Sequence, residues 1–211
     1  MPVPDETETE PSSASRLFGD RIDLARQFTA DLATHGEEYG LIGPLELPRL
    51  WSRHILNCVV VAPLLHPGTV GDIGSGAGLP GIVLAVARPD VRFTLIEPME
   101  RRVKWLNDQV ASLGLDNVEV VRDRAEDVRL EEGFDQVTAR AVSAFSKLIP
   151  MTAPLVVPGG ELVLMKGANA AKEITAAEKS IRRFKLSNVE VLELGAESLT
   201  EITRVIRATV A

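Results

Sequence analysis

Apolar and polar positions recur along this chain with two different periods, and the change between them falls near residue 69. From Arg16 to His35 the apolar residues Leu17, Ile22, Leu24, Ala25, Phe28 and Leu32 follow roughly helical spacing, and Gly36 supplies a stop. "GLIGP" at 40–44 reads as a turn. A second helical stretch, "ELPRLWSRHILNCVVVAPLL" at 46–65, gathers Leu50, Ile55, Leu56, Val59 and Val60 near one face before "HPG" ends it. Together these predict an N-terminal helical cap over 16–66. Beyond it, short β-branched runs ("TVGDI", "VRFTLIE", "VEVV", "FDQVTAR", "GELVLMK") are separated by helical stretches of about a dozen residues or more. That alternation predicts an α/β fold with a doubly wound, mainly parallel sheet. After the helix "ANAAKEITAAEKSIRRF", the runs "SNVEVLEL" and "EITRVIRATV" have no helix between them, so an antiparallel hairpin closes a Rossmann-like sheet of seven strands. A single core is expected over 67–211.

Composition narrows the class. Hydrophobic residues at 45% and charged residues at 25% give the balance of an ordinary soluble protein. No apolar run approaches the ~20 residues of a membrane span, and "MPVPDETETEPSSASR" has no signal pattern, so a cytoplasmic protein without a membrane partner is expected. One cysteine, Cys58, excludes an internal disulfide, and His35, His54 and His66 form no metal-ligand spacing, so no metal is expected. The net charge is −7. Asp5, Glu6, Glu8 and Glu10 supply part of it: without these four of the 30 acidic residues, 26 remain against 23 basic ones. Residues 1–15 therefore read as a disordered acidic tail, and a nearly neutral body with local basic clusters is compatible with RNA.

The chemistry centres on "VGDIGSGAGLPG" at 70–81, which holds five glycines in twelve positions. Such density after a strand brings backbone close to a ligand. A P-loop is excluded, because Ile82 and Val83 stand where Lys and Ser/Thr must follow the last glycine. The dinucleotide pattern fits poorly in either register: starting at Gly76 leaves Gly74-Ser75 inserted, and starting at Gly74 puts Leu79 in the third glycine position. Gly74-Ser75-Gly76-Ala77-Gly78 matches the G-x-G-x-G loop of enzymes that bind S-adenosylmethionine. Asp72 agrees with that reading, since a carboxylate repels pyrophosphate but attracts a sulfonium and an ammonium; capping of the turn is its structural alternative. Glu97, at the end of the second strand run, is placed to accept ribose hydroxyls. In "RDRAED", Asp123, Ala125 or Glu126 lies over the adenine edge.

The fourth strand run ends "VTARAVSAF", beside the position of the transferred methyl in this architecture. The Asp/Asn-Pro-Pro-Tyr/Phe slot used for exocyclic amines holds Thr138-Ala139-Arg140-Ala141 instead. Cys58 sits among valines as a buried structural residue, not as a nucleophile for pyrimidine carbon. A purine N7, nucleophilic without a general base, remains as an attractive target.

"DIGSGAGLPG", "RHILNC", "RAED", "ARAVSAF" and "LMKG" together resemble the glucose-inhibited division protein B family, also called ribosomal RNA small subunit methyltransferase G. The resemblance spans about 16–207. It implies a class I methyltransferase fold and methyl transfer from S-adenosylmethionine to N7 of one guanine in the decoding-centre hairpin of 16S rRNA. It also implies cofactor contacts at Gly74, Leu79, Ala125 with Glu126, and Arg140, to which the residue-level reading adds Asp72, Gly76, Gly78 and Glu97. Arg140 and Lys166 are the candidate catalytic-edge residues, with Lys166 expected to contact phosphate or guanine. The expected partner is 16S rRNA in the 30S subunit or an assembly intermediate, not DNA, with the protein a monomer. Many relatives carry a basic pair before the last strand, where this chain reads "SLTEITRVIR", leaving Arg204 and Arg207 as substitutes. Among other basic residues, Arg49 and Arg53 near Trp51 form a possible RNA-facing cluster with His54 read as packing, while Arg101, Arg102, Lys104, Lys179, Arg182, Arg183 and Lys185 read as solvated faces. Two rivals stay open at this level: a small-molecule methyltransferase and a non-catalytic adenosine-binding module.

Overall fold

The computed structural model describes residue 4, residues 6–196 and residues 201–211. Asp5 of the acidic stretch and Ser198, Leu199 and Thr200 of the segment before the last strand lie outside the described residues. Helices α1 (Ser13–Phe18) and α2 (Ile22–His35) open the fold. The next segment was expected as one regular helix. It is instead a chain of short turns: a 3₁₀ turn at Pro44–Arg49, a π-helical turn at Leu50–Leu56, α3 (Asn57–Val59) and a second 3₁₀ turn at Ala62–Leu64. Pro48 and Pro63 lie within the two 3₁₀ turns, where each lacks the N–H that a continuous helix would use.

The sheet strands are β1 (Thr69–Ile73), β2 (Arg92–Ile96), β3 (Val118–Val121), β4 (Phe134–Arg140), β5 (Val156–Lys166), β6 (Leu186–Leu194) and β7 (Thr203–Val210). Their order is β3-β2-β1-β4-β5-β7-β6, parallel through the first five and antiparallel at β7 against both β5 and β6. The crossover helices are α4 (Gly81–Ala87), α5 (Glu100–Ser112), α6 (Phe145–Thr152) and α7 (Ala170–Arg183). β5 starts four residues earlier than the sequence pattern suggests, and its register with β4 shifts between Phe134 and Gln136. Gly159 there adopts φ +84°, a conformation that β-branched residues avoid and that hides the strand's start from a propensity reading.

Side-chain alternation sorts the sheet into two faces. Phe134, Val137, Ala139, Leu162 and Leu164 pack with α6 and α7. On the other face Val70, Phe93, Leu95, Val163 and Met165 share one core with Phe28 and Leu32 of α2, Ile55 and Leu56 of the π-turn, and Trp105 of α5. The N-terminal helices therefore form one layer of the sheet's own core. The acidic stretch expected to be disordered is also engaged in part: Glu8 Oε2 accepts hydrogen bonds from the Ser52 N–H (2.8 Å) and hydroxyl (3.1 Å), Glu10 pairs with Arg26 at 2.6 Å, and α1 begins within the predicted tail. Acids that find a backbone donor and a guanidinium gain what composition alone cannot reveal.

A shared core predicts shared unfolding. Phe28→Ala should cost about 3–5 kcal/mol and lower the urea midpoint of one transition, seen together by circular dichroism and by the fluorescence of Trp51 and Trp105. A cap signal lost at lower urea than the helix signal would show instead that the N-terminal layer folds as a separate unit.

Candidate functional site

The glycine loop follows β1 at the carboxyl edge of the sheet, where doubly wound folds bind ligands. Gly74, Gly76 and Gly78 take φ values of +69°, +53° and +90°, so each occupies a conformation that L side chains resist. The loop is held from β2: the N–H groups of Gly74 and Ser75 donate to Ile96 O (2.9 and 3.2 Å), and that of Gly76 donates to Glu97 Oε2 (3.0 Å). Glu97 Oε1 accepts from the Met99 N–H at 3.0 Å, and the Trp105 indole donates to Ala77 O at 3.0 Å. Glu97 is almost wholly buried, with Arg102 Nη1 at 3.9 Å. Its carboxylate thus stands against the loop rather than in solvent.

Asp72 is fully buried on the cap side of β1. Its Oδ2 accepts from the Gly81 N–H at 3.1 Å and so caps the turn. A Cβ at Gly81 would meet Leu95 and lie 2.5 Å from that same oxygen, so only glycine fits there. Asp72 Oδ1 is buried with no hydrogen-bond partner. Burial pushes the carboxyl up to about 7, with Glu97 adding in the same direction and the Gly81 N–H opposing.

Leu79 is half-buried against the cap-side core, and its N–H donates to Ser75 O at 3.3 Å. Ala125 is buried, and Glu126 beside it is exposed, on the turn after β3. The Arg124 carbonyl there accepts from the N–H groups of Asp127 and Val128. The six residues Asp72, Gly74, Gly76, Gly78, Leu79 and Glu97 gather around one loop, with Ala125 and Glu126 two strands away along the same edge.

Arg140 and Lys166 lie on the other side of β1, in a cleft of about 1050 Å³ whose walls also include Arg53, Asn57, Glu173, Glu201 and Arg204. Val142 joins the two regions: it lines the cleft, and its Cγ2 sits 3.0 Å from where a Cβ on Gly74 would stand. Neither Arg140 nor Lys166 is the free cation that its position suggested. Arg140 Nη1 donates to His54 O (3.4 Å) and Cys58 Sγ (3.2 Å), and Nη2 donates to Arg53 O (3.2 Å) and His54 Nδ1 (2.9 Å). Lys166 Nζ donates to Ser143 O (2.7 Å) and pairs with Glu173 at 2.8 Å, leaving its side chain 7% exposed. Glu173 Oε2 also accepts from the Phe145 N–H at 2.7 Å. The loop from Arg140 to Phe145 is therefore pinned to the cap at one end and to α7 at the other. Ala141, at φ +56°, carries the turn between.

His54 is a polar junction and not merely a packing residue: Nε2 lies 2.6 Å from Glu46 Oε2. Trp51, by contrast, is core, and Arg49 pairs with Glu46. Arg204 and Arg207 are matched by Glu193 (2.9 Å) and Glu190 (2.6 Å) across the hairpin. Arg204 lines the cleft. Glu173, His54 and Asn57 are not legible as site residues from local pattern, because the bonds that place His54 and Asn57 at the cleft, to Arg140 and Thr203, span 86 and 146 residues, and nothing near Glu173 in sequence announces its tie to Lys166.

A mainly parallel seven-stranded sheet with a terminal antiparallel strand, a positive-φ glycine loop after β1 and an acid ending β2 define a class I methyltransferase fold. Solved structures with this fold include a SAM-dependent O-methyltransferase of Thermotoga maritima (TM-score 0.56, 16% identity, covering 74% of this chain and 65% of that one). Another is the N-methyltransferase NodS of Bradyrhizobium japonicum in complex with S-adenosyl-L-homocysteine (TM-score 0.54, 19% identity, covering 89% and 96%). Residues 21–203 match the family model GidB, rRNA small subunit methyltransferase G, and the chain belongs to that family. The ribosomal RNA small subunit methyltransferase G of Leifsonia xyli is 68% identical over 206 residues, covering 98% of this chain and 99% of the relative. That of Clavibacter michiganensis is 67% identical over 211 residues and the full length of both.

The buried Asp72 carboxyl generates a stability prediction for the protein without added ligand. Its native pKa lies above the unfolded value, so the native state keeps a proton that the unfolded chain releases, and stability falls as pH rises from about 4 to about 7. The slope from this group is at most ~1.4 kcal/mol per pH unit. Asp72→Asn should lack it, so urea unfolding at pH 5 and pH 8 should show the variant gaining on the wild type at the higher pH. Parallel curves would mean that Asp72 is already ionised in the native protein at pH 5.

Proposed function

We propose that this protein transfers a methyl group from S-adenosylmethionine to N7 of one guanine in the decoding-centre hairpin of 16S rRNA, acting as a monomer in the cytoplasm on the 30S subunit or an assembly intermediate. The observation that carries this reading is the full-length family match, joined to a glycine loop and a basic cleft that share one sheet edge. Fit to the cofactor rests on charge. S-adenosylmethionine, when bound, supplies an electrophilic methyl carbon on a cationic sulfur. Asp72 Oδ1, buried and unpartnered, suits a cationic neighbour, directly or through a water, and such a neighbour returns the carboxyl to its ionised form. Glu97 already accepts from the loop N–H of Gly76 and retains acceptor capacity for ribose hydroxyls. Gly74, Gly76 and Gly78 let the backbone approach, Leu79 closes the apolar side, and the Ala125-Glu126 turn borders the adenine end.

Arg140, Lys166, Arg53 and Arg204 outnumber Glu173 and Glu201 around the cleft, so its wall is locally positive although the whole chain is at −7. That supports a polyanionic substrate. Guanine N7 carries its lone pair in the ring plane, so the protein's task is to orient the base and exclude water, with no proton to remove before attack. Arg140 and Lys166 do this by fixing the 140–145 loop that forms the cleft wall, with their charges facing the same space.

The experiment is methyl transfer from labelled S-adenosylmethionine to naked 16S rRNA, to 30S subunits lacking the modification and to a metabolite extract, with mass mapping of the labelled product. Expected is 7-methylguanine in the decoding-centre hairpin; label confined to the metabolite fraction would replace RNA with a small molecule, and no label despite cofactor binding would end the enzymatic reading. In parallel, Gly74→Asp should abolish cofactor binding by calorimetry, through positive-φ strain, contact with Val142 and added negative charge. Near-normal affinity would remove the loop from the cofactor site.

A further inference from the structure

The guanidinium of Arg140 reaches away from the sheet into the cap. Its two terminal nitrogens meet the carbonyls of Arg53 and His54, the thiol of Cys58 and the His54 ring, all on the π-turn or the residues just after it. A guanidinium only donates. At 2.9 Å from Arg140 Nη2, His54 Nδ1 must therefore be the acceptor, which puts the proton of the neutral imidazole on Nε2. That N–H then donates to Glu46 Oε2 at 2.6 Å. The chain of bonds runs with one polarity, from Arg140 through His54 to Glu46, and joins β4 to the 3₁₀ turn at Pro44–Arg49.

We propose that His54, oriented by Glu46, is the positioning residue that fixes Arg140 and with it the cap-side wall of the methyl-transfer cleft. The inference rests on the cleft being the substrate site, as argued above. No second arrangement of these atoms keeps all the bonds: a ring turned over would present Cδ2–H to Arg140 and Cε1–H to Glu46, and the Nδ1–H tautomer would leave two donors face to face. Protonation has the same effect, because an imidazolium carries N–H on both sides. The groups that bear on the ring are Arg140 from β4, Glu46 from the 3₁₀ turn, and Arg53 and the buried Cys58 from its own segment. Arg49 acts on Glu46, and Glu201 sits 3.5 Å from Arg53. Burial, then the charge of Arg140, hold the imidazole below its ordinary range against the pull of Glu46, which keeps the ring neutral at neutral pH. The arrangement is lost on the acid side.

The test uses the full-length protein and two kinds of readout. Nitrogen-15 spectra of the histidine rings at pH 7.5 should show His54 as the Nε2–H tautomer; an Nδ1–H tautomer or an imidazolium would overturn the proposal. His54→Leu removes the acceptor and should lower kcat/KM for RNA about tenfold or more, with cofactor affinity by calorimetry near the wild-type value. His54→Asn keeps an acceptor oxygen near the place of Nδ1 and cannot be protonated there, so at saturating S-adenosylmethionine, where Asp72 is held ionised, it should recover most of that loss and lack the wild type's acidic fall in rate. Equal losses in both variants, or an acidic limb that survives in His54→Asn, would sink the proposal. A wild type that shows the expected tautomer yet methylates no RNA would overturn the substrate reading while leaving the placement of Arg140 by His54 standing.

Discussion

A guanidinium at the end of an interior strand must find acceptors, and that requirement organises the functional edge of this fold. Arg140 ends β4, between β1 and β5, where its side chain rises toward the cap-side layer. A regular α-helix would spend its carbonyls on its own ladder. The π-turn at Leu50–Leu56 gives the carbonyls of Arg53 and His54 another role, and Arg140 takes both. π-turns recur at functional sites, and here the wider turn turns backbone acceptors toward Arg140. The cap is thus coupled to the carboxyl edge of the sheet by a small set of directional bonds, while the apolar contacts of Phe28, Leu32, Ile55 and Leu56 supply the bulk of the adhesion without fixing direction.

The two halves of the site are built on opposite electrostatic principles. Around the glycine loop, two buried carboxylates, Asp72 and Glu97, face backbone N–H groups and one distant guanidinium. Burial above all, with the nearby Glu97 charge adding to it, raises the cost of ionising Asp72 and pushes its carboxyl far above a normal aspartate. A cation entering beside them relieves that cost. In the cleft the balance reverses, with arginine and lysine in excess but each already tied to a carbonyl or a carboxylate. Tied cations hold the wall in one shape and still contribute their field. The surroundings of the loop therefore favour positive charge and the cleft favours negative charge, across the thin partition of Val142.

Much of this was readable from the chain. The five parallel strands and the terminal hairpin follow from alternation and β-branched runs, and the glycine loop, Asp72 and Glu97 come from spacing within one βαβ unit. Local periodicity records local structure, and these features are local. The cap segment was misread as a continuous helix because its apolar spacing is helical, while its two prolines and its bonds to β4 break the regular ladder. The acidic stretch was read as free because composition cannot see that Glu8 meets the Ser52 N–H or that Glu10 meets Arg26. His54 read as packing for the same reason: half of its surroundings, Arg140, lies 86 residues further along.

The same distinction bears on net charge. At −7 the chain as a whole repels RNA, and a count of charges argues against a polyanionic substrate. Yet screening at physiological salt limits such repulsion to about 8 Å, so the field that a polyanion would meet at the sheet edge is set by residues within that reach. There Arg53, Arg140, Lys166 and Arg204 exceed Glu173 and Glu201. Much of the acid sits elsewhere: in the N-terminal stretch, partly neutralised by Arg26 and bonded to Ser52, and in exposed acids such as Glu119, Glu131 and Glu132. An acidic protein with a basic cleft presents an attractive field to anions at that cleft and a repulsive one over the rest of its surface. Tight spatial sorting of charge, more than its sum, is what makes a −7 chain compatible with one site on a large RNA.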